Sequence, residues 1–394
     1  MEVKQIYKLI KSVSSEVLGK TDLVHEDLTG TVDLGNEVFN QNAVDNYVKS
    51  LVNHIGKVVF VNRPYSGKVP SVLMDAWEFG SVLEKISADV PQAEENDTWN
   101  LTDGTEYKQD VFHKPTVSAK FFNSKVTFEV PVSITERQVK ESFSSAAQLN
   151  GFLSMIYNAV EKSMTIKTDA LVMRTINNMI AETLDADKTA FGFVPSKNEP
   201  VDYSSASTVR CVNLLKLYNE KTGAQLTAAT AITTPDFIRF AAYIMGLYSD
   251  RLQTISTLFN VGGKERFTPK DVLHTVLLSD FAAAAKTYLY ADTFHEDNVL
   301  LPKAETVASW QATGTDYAFE HVSKIDVTSA SGATVSVKGV LGVMFDRDAL
   351  GVTNLDRRVT TNYNAKAEFF NNYYKFDAGY FNDTNENFVV FFIA

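Results

Sequence analysis

Hydrophobic positions change their spacing several times along this chain, and each spacing predicts a different element. Val3, Ile6, Leu9, Ile10, Val13 and Val17 recur at three- and four-residue steps with Lys4, Lys8 and Lys11 between them, which is the pattern of an amphipathic helix. Its expected contact is a partner chain rather than a membrane surface. Residues 21–62 mix short strand-like and loop signals and end in the apolar run Ile55 to Val61. Residues 63–142 carry turn residues (Pro64, Gly67, Pro70, Gly80, Pro91, Gly104, Pro115, Pro131) around alternating stretches such as Lys125-Val-Thr-Phe-Glu-Val-Pro-Val. Such alternation predicts strands with one face covered. Between them the polar stretch Ala93-Glu-Glu-Asn-Asp-Thr-Trp-Asn-Leu-Thr-Asp-Gly has little to bury. The expectation is a long two-stranded excursion, marginal alone and in need of an outside surface.

From Ser144 to Leu184 there is no proline and one glycine, Gly151. Leu149, Phe152, Ile156, Ala159, Val160, Ile166, Leu171, Ile176, Met179 and Ile180 keep a mostly helical spacing there. A helix of that length would reach about 60 Å, well beyond an ordinary globular one. It either breaks near Ser163 to Thr168 or acts as a strut. A loop rich in Pro, Ser and Gly (185–208) leads into an α/β-like block, 209–345. Two helix starts are predicted in it, at Thr234-Pro235-Asp236 and at Thr268-Pro269-Lys270-Asp271. Each offers a Thr cap, Pro at the first position and Asp in the first turn. From Val340 onward the pattern is strands, with turns at Asp346-Arg347-Asp348 and Asn382-Asp-Thr-Asn385. Phe388-Val-Val-Phe-Phe-Ile393 is apolar on both faces, as in a buried sheet.

Composition narrows the function classes. The 394 residues are 45% hydrophobic and 22% charged, an ordinary globular balance that needs no disulfide or metal staple. One cysteine, Cys211, rules out an internal disulfide. A net charge of −11 disfavours a general nucleic-acid grip, which needs a basic excess, but not a protein that encloses DNA without holding it. No apolar stretch has the length of a membrane span, and no signal-type run opens the sequence, so the expectation is a protein that stays in the cytoplasm.

Candidate chemistry is sparse. Val261-Gly262-Gly263-Lys264-Glu265 lacks the Ser or Thr after Lys and the earlier glycine of a phosphate loop, and reads as a turn between helices. His25, His54, His113, His274, His295 and His321 are scattered without metal-ligand spacing. His295-Glu296-Asp297 reads as a solvated loop, and His274 as a structural residue in the second capped helix. Cys211 reads by default as a buried apolar thiol. Phe369, Phe370, Tyr373, Tyr374, Phe376, Tyr380 and Phe381 lie near only Lys366 and Lys375. Sheet core with subunit contact suits them better than a stacking platform for single strands. No catalytic, cofactor-binding or metal residue is assigned.

The order of parts resembles the major capsid proteins of tailed bacteriophages, with the Hong Kong 97 fold, and most of all those of phi29-type podophages and phages of Gram-positive hosts. The resemblance is carried by Asn40-Gln-Asn-Ala-Val-Asp-Asn-Tyr-Val-Lys-Ser-Leu-Val-Asn-His-Ile-Gly-Lys-Val-Val59, Gly151-Phe-Leu-Ser-Met-Ile-Tyr-Asn-Ala159, Val343-Met-Phe-Asp-Arg-Asp-Ala-Leu-Gly-Val352 and Ala367-Glu-Phe-Phe-Asn-Asn-Tyr-Tyr-Lys375. It implies an α+β fold divided into an N-terminal arm (1–62), an E-loop (63–142), a P-domain with a spine helix (143–208), an A-domain (209–345) and a return to the P-domain sheet (346–394). It implies a structural shell protein assembling as pentamers and hexamers around double-stranded DNA, bound without sequence specificity. Its expected partners are copies of itself, a separate scaffolding protein and a portal, with no membrane and no cofactor. The expected location is the virion, after assembly in the host bacterial cytoplasm. The phi29-type protein carries a C-terminal immunoglobulin-like domain with no counterpart after the terminal strand here, and no large cleavage is expected. An encapsulin-like nanocompartment, distinguished by enzyme cargo, and an enzyme without a recognisable motif remain the alternatives, with a tube or surface-layer subunit behind them.

Overall fold

The computed structural model describes residues 3–19, 46, 69–74, 83–91, 93–107, 112–135, 146–194, 200–290, 304–311 and 316–394. The readings of 21–62, of His25 and His54, and of His295-Glu296-Asp297 lie outside the described residues. Among the described residues the helices are α1 (Val3–Leu18), α2 (Ala146–Ala186), α3 (Leu214–Thr222), α4 (Ala228–Ala231), α5 (Pro235–Arg251), α6 (Ser279–Tyr290) and α7 (Phe319–Val322). The strands run β1 (Leu73–Met74), β2 (Leu83–Ala88), β3 (Val117–Phe122), β4 (Lys125–Thr135), β5 (Cys211–Asn213), β6 (Leu273–Leu278) and β7 (Glu305–Val307). They continue as β8 (Ile325–Thr328), β9 (Thr334–Val337), β10 (Val340–Asp346), β11 (Leu350–Asn364), β12 (Phe369–Asn382) and β13 (Phe388–Phe392).

Among the described residues two larger sheets form this mixed α+β fold. One has the order β5-β13-β10-β6-β7 and the other β1-β11-β12-β4, with β2-β3 and β8-β9 as separate hairpins. The terminal strand explains its own composition. Phe388, Val390 and Phe392 join a core with Ile176, Met179 and Ile180 of α2, while Val389, Phe391 and Ile393 join a second core with Phe237, Ile238 and Met245 of α5. Alternate side chains of a strand point to opposite faces, so a strand covered on both sides must be apolar throughout.

Helix α2 is continuous over 41 residues and does not break near Ser163 to Thr168. Its two halves do different work. In the first, Ile156, Val160 and Met164 are buried at four-residue steps, and Val160 and Met164 pack with Tyr374 and Phe376 of the four-stranded sheet. Ile166, expected on the apolar face, is exposed. In the second half the burial widens to most of the circumference, from Leu171 to Leu184, against the five-stranded sheet and the β8-β9 hairpin. One helix thus braces both sheets.

Several expectations are corrected. Thr234-Pro235 does open α5, but Thr268-Pro269 opens no helix: after a turn closed by Val272 N–H on the Pro269 carbonyl (3.1 Å), the chain enters β6. The Thr268 hydroxyl is used elsewhere, donating to Asp346 Oδ2 at 2.8 Å, and Leu273-His-Thr-Val-Leu-Leu pairs along β10. Tertiary pairing overrides a local helix start. His274 therefore sits on a strand. The alternating stretch 125–132 is not part of the excursion but of β4, which pairs with β12 from Lys125 to Thr135. The tail does not return to one sheet: β11 and β12 stay with β4, while β13 crosses to the five-stranded sheet between β5 and β10. On α1, Ile10 and Val13 are fully buried in the single chain, so part of its apolar face needs no partner chain.

Candidate assembly surface

The excursion is a ribbon of β2 and β3, with the polar segment between them at its far end. Its alternation is inverted relative to an ordinary hairpin lying on a protein. Cross-strand pairs Lys85 with Lys120 and Ser87 with Ser118 occupy the half-buried face. Glu84 with Phe121, Ile86 with Ala119 and Ala88 with Val117 occupy the exposed face. Ile86, Val117 and Phe121 are 65%, 59% and 63% exposed, and Trp99 and Phe112 toward the tip are 94% and 86% exposed. A soluble chain normally turns such a face inward, so a contiguous apolar strip presented outward marks an interaction surface.

The inward face is held by charge. Lys85 and Lys120 stand directly opposite each other, where like charges repel. Asp383 lies between them, one carboxylate oxygen 2.9 Å from Lys85 Nζ and the other 2.9 Å from Lys120 Nζ. Glu386 Oε1 also accepts from Lys85 (2.8 Å) and from Arg266 Nε (3.2 Å), and Asp89 pairs with Lys264 at 3.2 Å. Burial raises the Asp383 carboxyl, but hydrogen bonds from Lys85 and Lys120 outweigh it and hold it below the usual carboxylate value. Burial opposes the Lys85 charge, yet Glu386 and Asp383 leave it above its ordinary value. Lys85, Lys120, Lys264, Arg266, Asp383 and Glu386, with Ser87 and Ser118, line a cavity of about 160 Å³.

The turn Val261 to Glu265 belongs to this anchor and links α5 to β6 rather than two helices. Asn260 holds it, its Oδ1 accepting from the Lys264 N–H at 2.8 Å and its Nδ2 donating to the Lys264 carbonyl at 2.6 Å. Gly262 N–H donates to the Thr384 carbonyl at 2.8 Å, and a side chain at Gly262 would collide with Asn385. The glycine thus serves close approach of two turns.

The remaining candidates sit apart from the ribbon. Cys211 is fully buried, its Sγ 3.6 Å from the Thr183 carbonyl, and burial pushes its thiol well above the ordinary value. His274 packs on Phe345, and burial lowers its imidazole below the usual value. His113 is exposed, and His321 pairs with Asp316 at the surface. Phe370, Tyr374, Phe376 and Phe381 are buried along β12, and Phe369, Tyr373 and Tyr380 are half-buried. Among the described residues no group of three His, Cys, Asp or Glu side chains converges on a metal position, and no helix is long and apolar enough to cross a membrane. Sequence reasoning missed the ionic anchor. Lys85 and Asp383 are 298 residues apart, and no local pattern links them.

Comparison with known proteins adds the family. The model of the Phi29-like phage major capsid protein family matches residues 10–392. A search of curated proteins returned no significant match. Among solved structures, the chain is similar to one from a capsid structure of Staphylococcus phage Andhra, at 8% identity over 85% of this chain and 86% of that one, with a TM-score of 0.48. A structure of the head fiber and inner core protein gp22 of native bacteriophage P68 contains a similar chain, at 9% identity, the same coverages and a TM-score of 0.48. A third, from the capsid of the cyanophage P-SCSP1u, has 10% identity over 85% and 90% of the two chains and a TM-score of 0.45.

Proposed function

Since this chain belongs to the Phi29-like phage major capsid protein family, we propose that it forms the head shell by assembling as pentamers and hexamers that enclose double-stranded DNA. Family membership makes it a structural capsid component of the virion and not an enzyme. The observation that carries the shell geometry is the inverted ribbon, whose Ile86, Val117 and Phe121 face away from their own subunit. A neighbouring copy is the occupant that fits: a shell repeats one contact many times, and closed symmetry multiplies weak contacts into a stable assembly.

In this reading the ribbon 83–122 serves as the E-loop and α2 as the spine helix. Residues 209–345 with β13 serve as the domain that meets its copies at capsomer centres. A separate scaffolding protein and a portal complete assembly in the host cytoplasm. The charge of −11 suits a wall that does not grip packaged DNA, which needs basic contacts to be held.

Negative-stain electron microscopy of the recombinant chain, alone and with a co-expressed candidate scaffold, tests the proposal. Closed shells or rings of five and six are expected. A monodisperse monomer or dimer under both conditions overturns it, and shells filled with an enzyme cargo would favour a nanocompartment.

A further inference from the structure

The contact between ribbon and body has an unusual composition. Side chains on the inner face of β2 and β3 meet the body through ion pairs around a cavity, and the aromatic contact at the ribbon base is Phe122 on Phe381, ring centres 5.1 Å apart. At the base, Leu83 and Phe122 are the half-buried apolar pair of the inner face, and beyond them the contact is made by the lysines and their acidic partners. Charge is the restraint there.

The acidic partners occupy a particular place. Asp383 and Glu386 lie in the turn where the chain leaves the four-stranded sheet (β12) for the five-stranded sheet (β13). Lys85 Nζ also donates to the Asp348 carbonyl at 3.1 Å, in the turn from β10 to β11, which crosses between the same two sheets. The Asp383 N–H donates to the Ala349 carbonyl at 2.7 Å and joins the two crossings. One ribbon lysine therefore touches both points at which the C-terminal chain passes between sheets.

We propose that Lys85, Lys120, Asp383 and Glu386 form an ionic latch that sets the angle of the ribbon to the body and releases it when the charges are removed. The latch reports the relative placement of the two sheets to the ribbon, because the crossing turns carry its acidic half. Asp383 is the keystone: with its side chain 3% exposed it neutralises two lysines that otherwise repel across the ribbon. The inference concerns the free subunit and does not rest on the shell reading.

Spin labels at Val117→Cys on the ribbon and Ser336→Cys on the body, in the full chain, measure the angle as an interspin distance. Cys211 is buried and stays unlabelled. A narrow distribution is expected for the parent at about 0.05 M salt and also at about 1 M salt, because ion pairs this buried are screened much less than exposed ones. The variant Lys85→Gln with Lys120→Gln should give a roughly twofold broader distribution at both salt concentrations, with unchanged circular dichroism. If the paired change disturbs folding, Lys120→Gln alone, at a side chain 38% exposed, gives the same reading in weaker form. A narrow distribution in the folded variant at low salt overturns the latch.

Discussion

Asn177, in the second half of α2, donates from Nδ2 to the Trp310 carbonyl at 2.8 Å across 133 residues of sequence, and Trp310 passes the link on. Its indole Nε1 donates to the Val340 carbonyl at 2.9 Å, and its own N–H donates to the Val322 carbonyl at 3.1 Å. Long helix, α7 and the start of β10 are thereby joined through one side chain that is 2% exposed. Replacing Trp310 with Ala removes a large core volume and strands a buried carbonyl. The expected loss is about 3–5 kcal/mol, read as a fall in the urea midpoint. Trp310→Phe keeps most of the volume and loses the Nε1 bond, so its cost should be smaller, about 1–3 kcal/mol.

Gly339 should tolerate no side chain. Its φ is +76°, a left-handed conformation, and a Cβ placed there would lie 1.9 Å from the Ile393 carbonyl oxygen. The Gly339 carbonyl also accepts from the Ile393 N–H at 2.8 Å, so relief by backbone movement would break the bond that ends the terminal strand. Backbone strain and overpacking together predict that Gly339→Ala destabilises by about 2–5 kcal/mol in thermal or urea unfolding. A variant within about 0.5 kcal/mol of the parent would show that the turn can rearrange freely.

What the sequence made legible was whatever is set by local periodicity. The run Phe388 to Ile393 told its burial because covering both faces of a strand leaves no room for a polar position. The 41-residue helix was legible in length but not in its change of burial, since that depends on which sheet lies beside each half. Thr234-Pro235 and Thr268-Pro269 carry nearly the same helix-start signal with opposite outcomes. The second loses because its following residues find strand partners in β10, far along the chain. The ionic anchor was illegible for the same reason. Lys85 and Asp383 meet through folding alone, and isolated charges on alternating strands look like ordinary solvated positions.

Asp185 gives the pH dependence a sign. Burial raises its carboxyl, but hydrogen bonds from Lys188, Ser331 and Ser329 outweigh it and hold it below the usual carboxylate value. A carboxyl depressed by folding contributes stability at neutral pH, and that contribution is lost as pH falls through the folded-state value. The contacts tie the end of α2 to the β8-β9 turn. Asp185→Asn should therefore cost about 1 kcal/mol at pH 7 and progressively less below about pH 4. Urea midpoints of the two proteins at pH 7 and in acid check this. A difference that stays constant into acid would remove the carboxylate from the account.

The exposed face of the ribbon separates folding from association. Phe121 is 63% exposed and Ile86 65% exposed, so neither side chain contributes much to the core of its own subunit. Phe121→Glu would place a carboxylate opposite Glu84 on that face, a like-charge pair with a local cost of about 0.2–1 kcal/mol. The monomer should keep its circular dichroism and lose at most about 1 kcal/mol of stability. In an assembled shell the same substitution would bury an unpaired charge at every copy of the contact, at several kcal/mol each. Sedimentation of parent and variant under identical assembly conditions then decides the matter. Loss of the large species with a folded subunit is expected for a ribbon that lies on its neighbour, whereas unchanged shells would mean that this face remains in solvent.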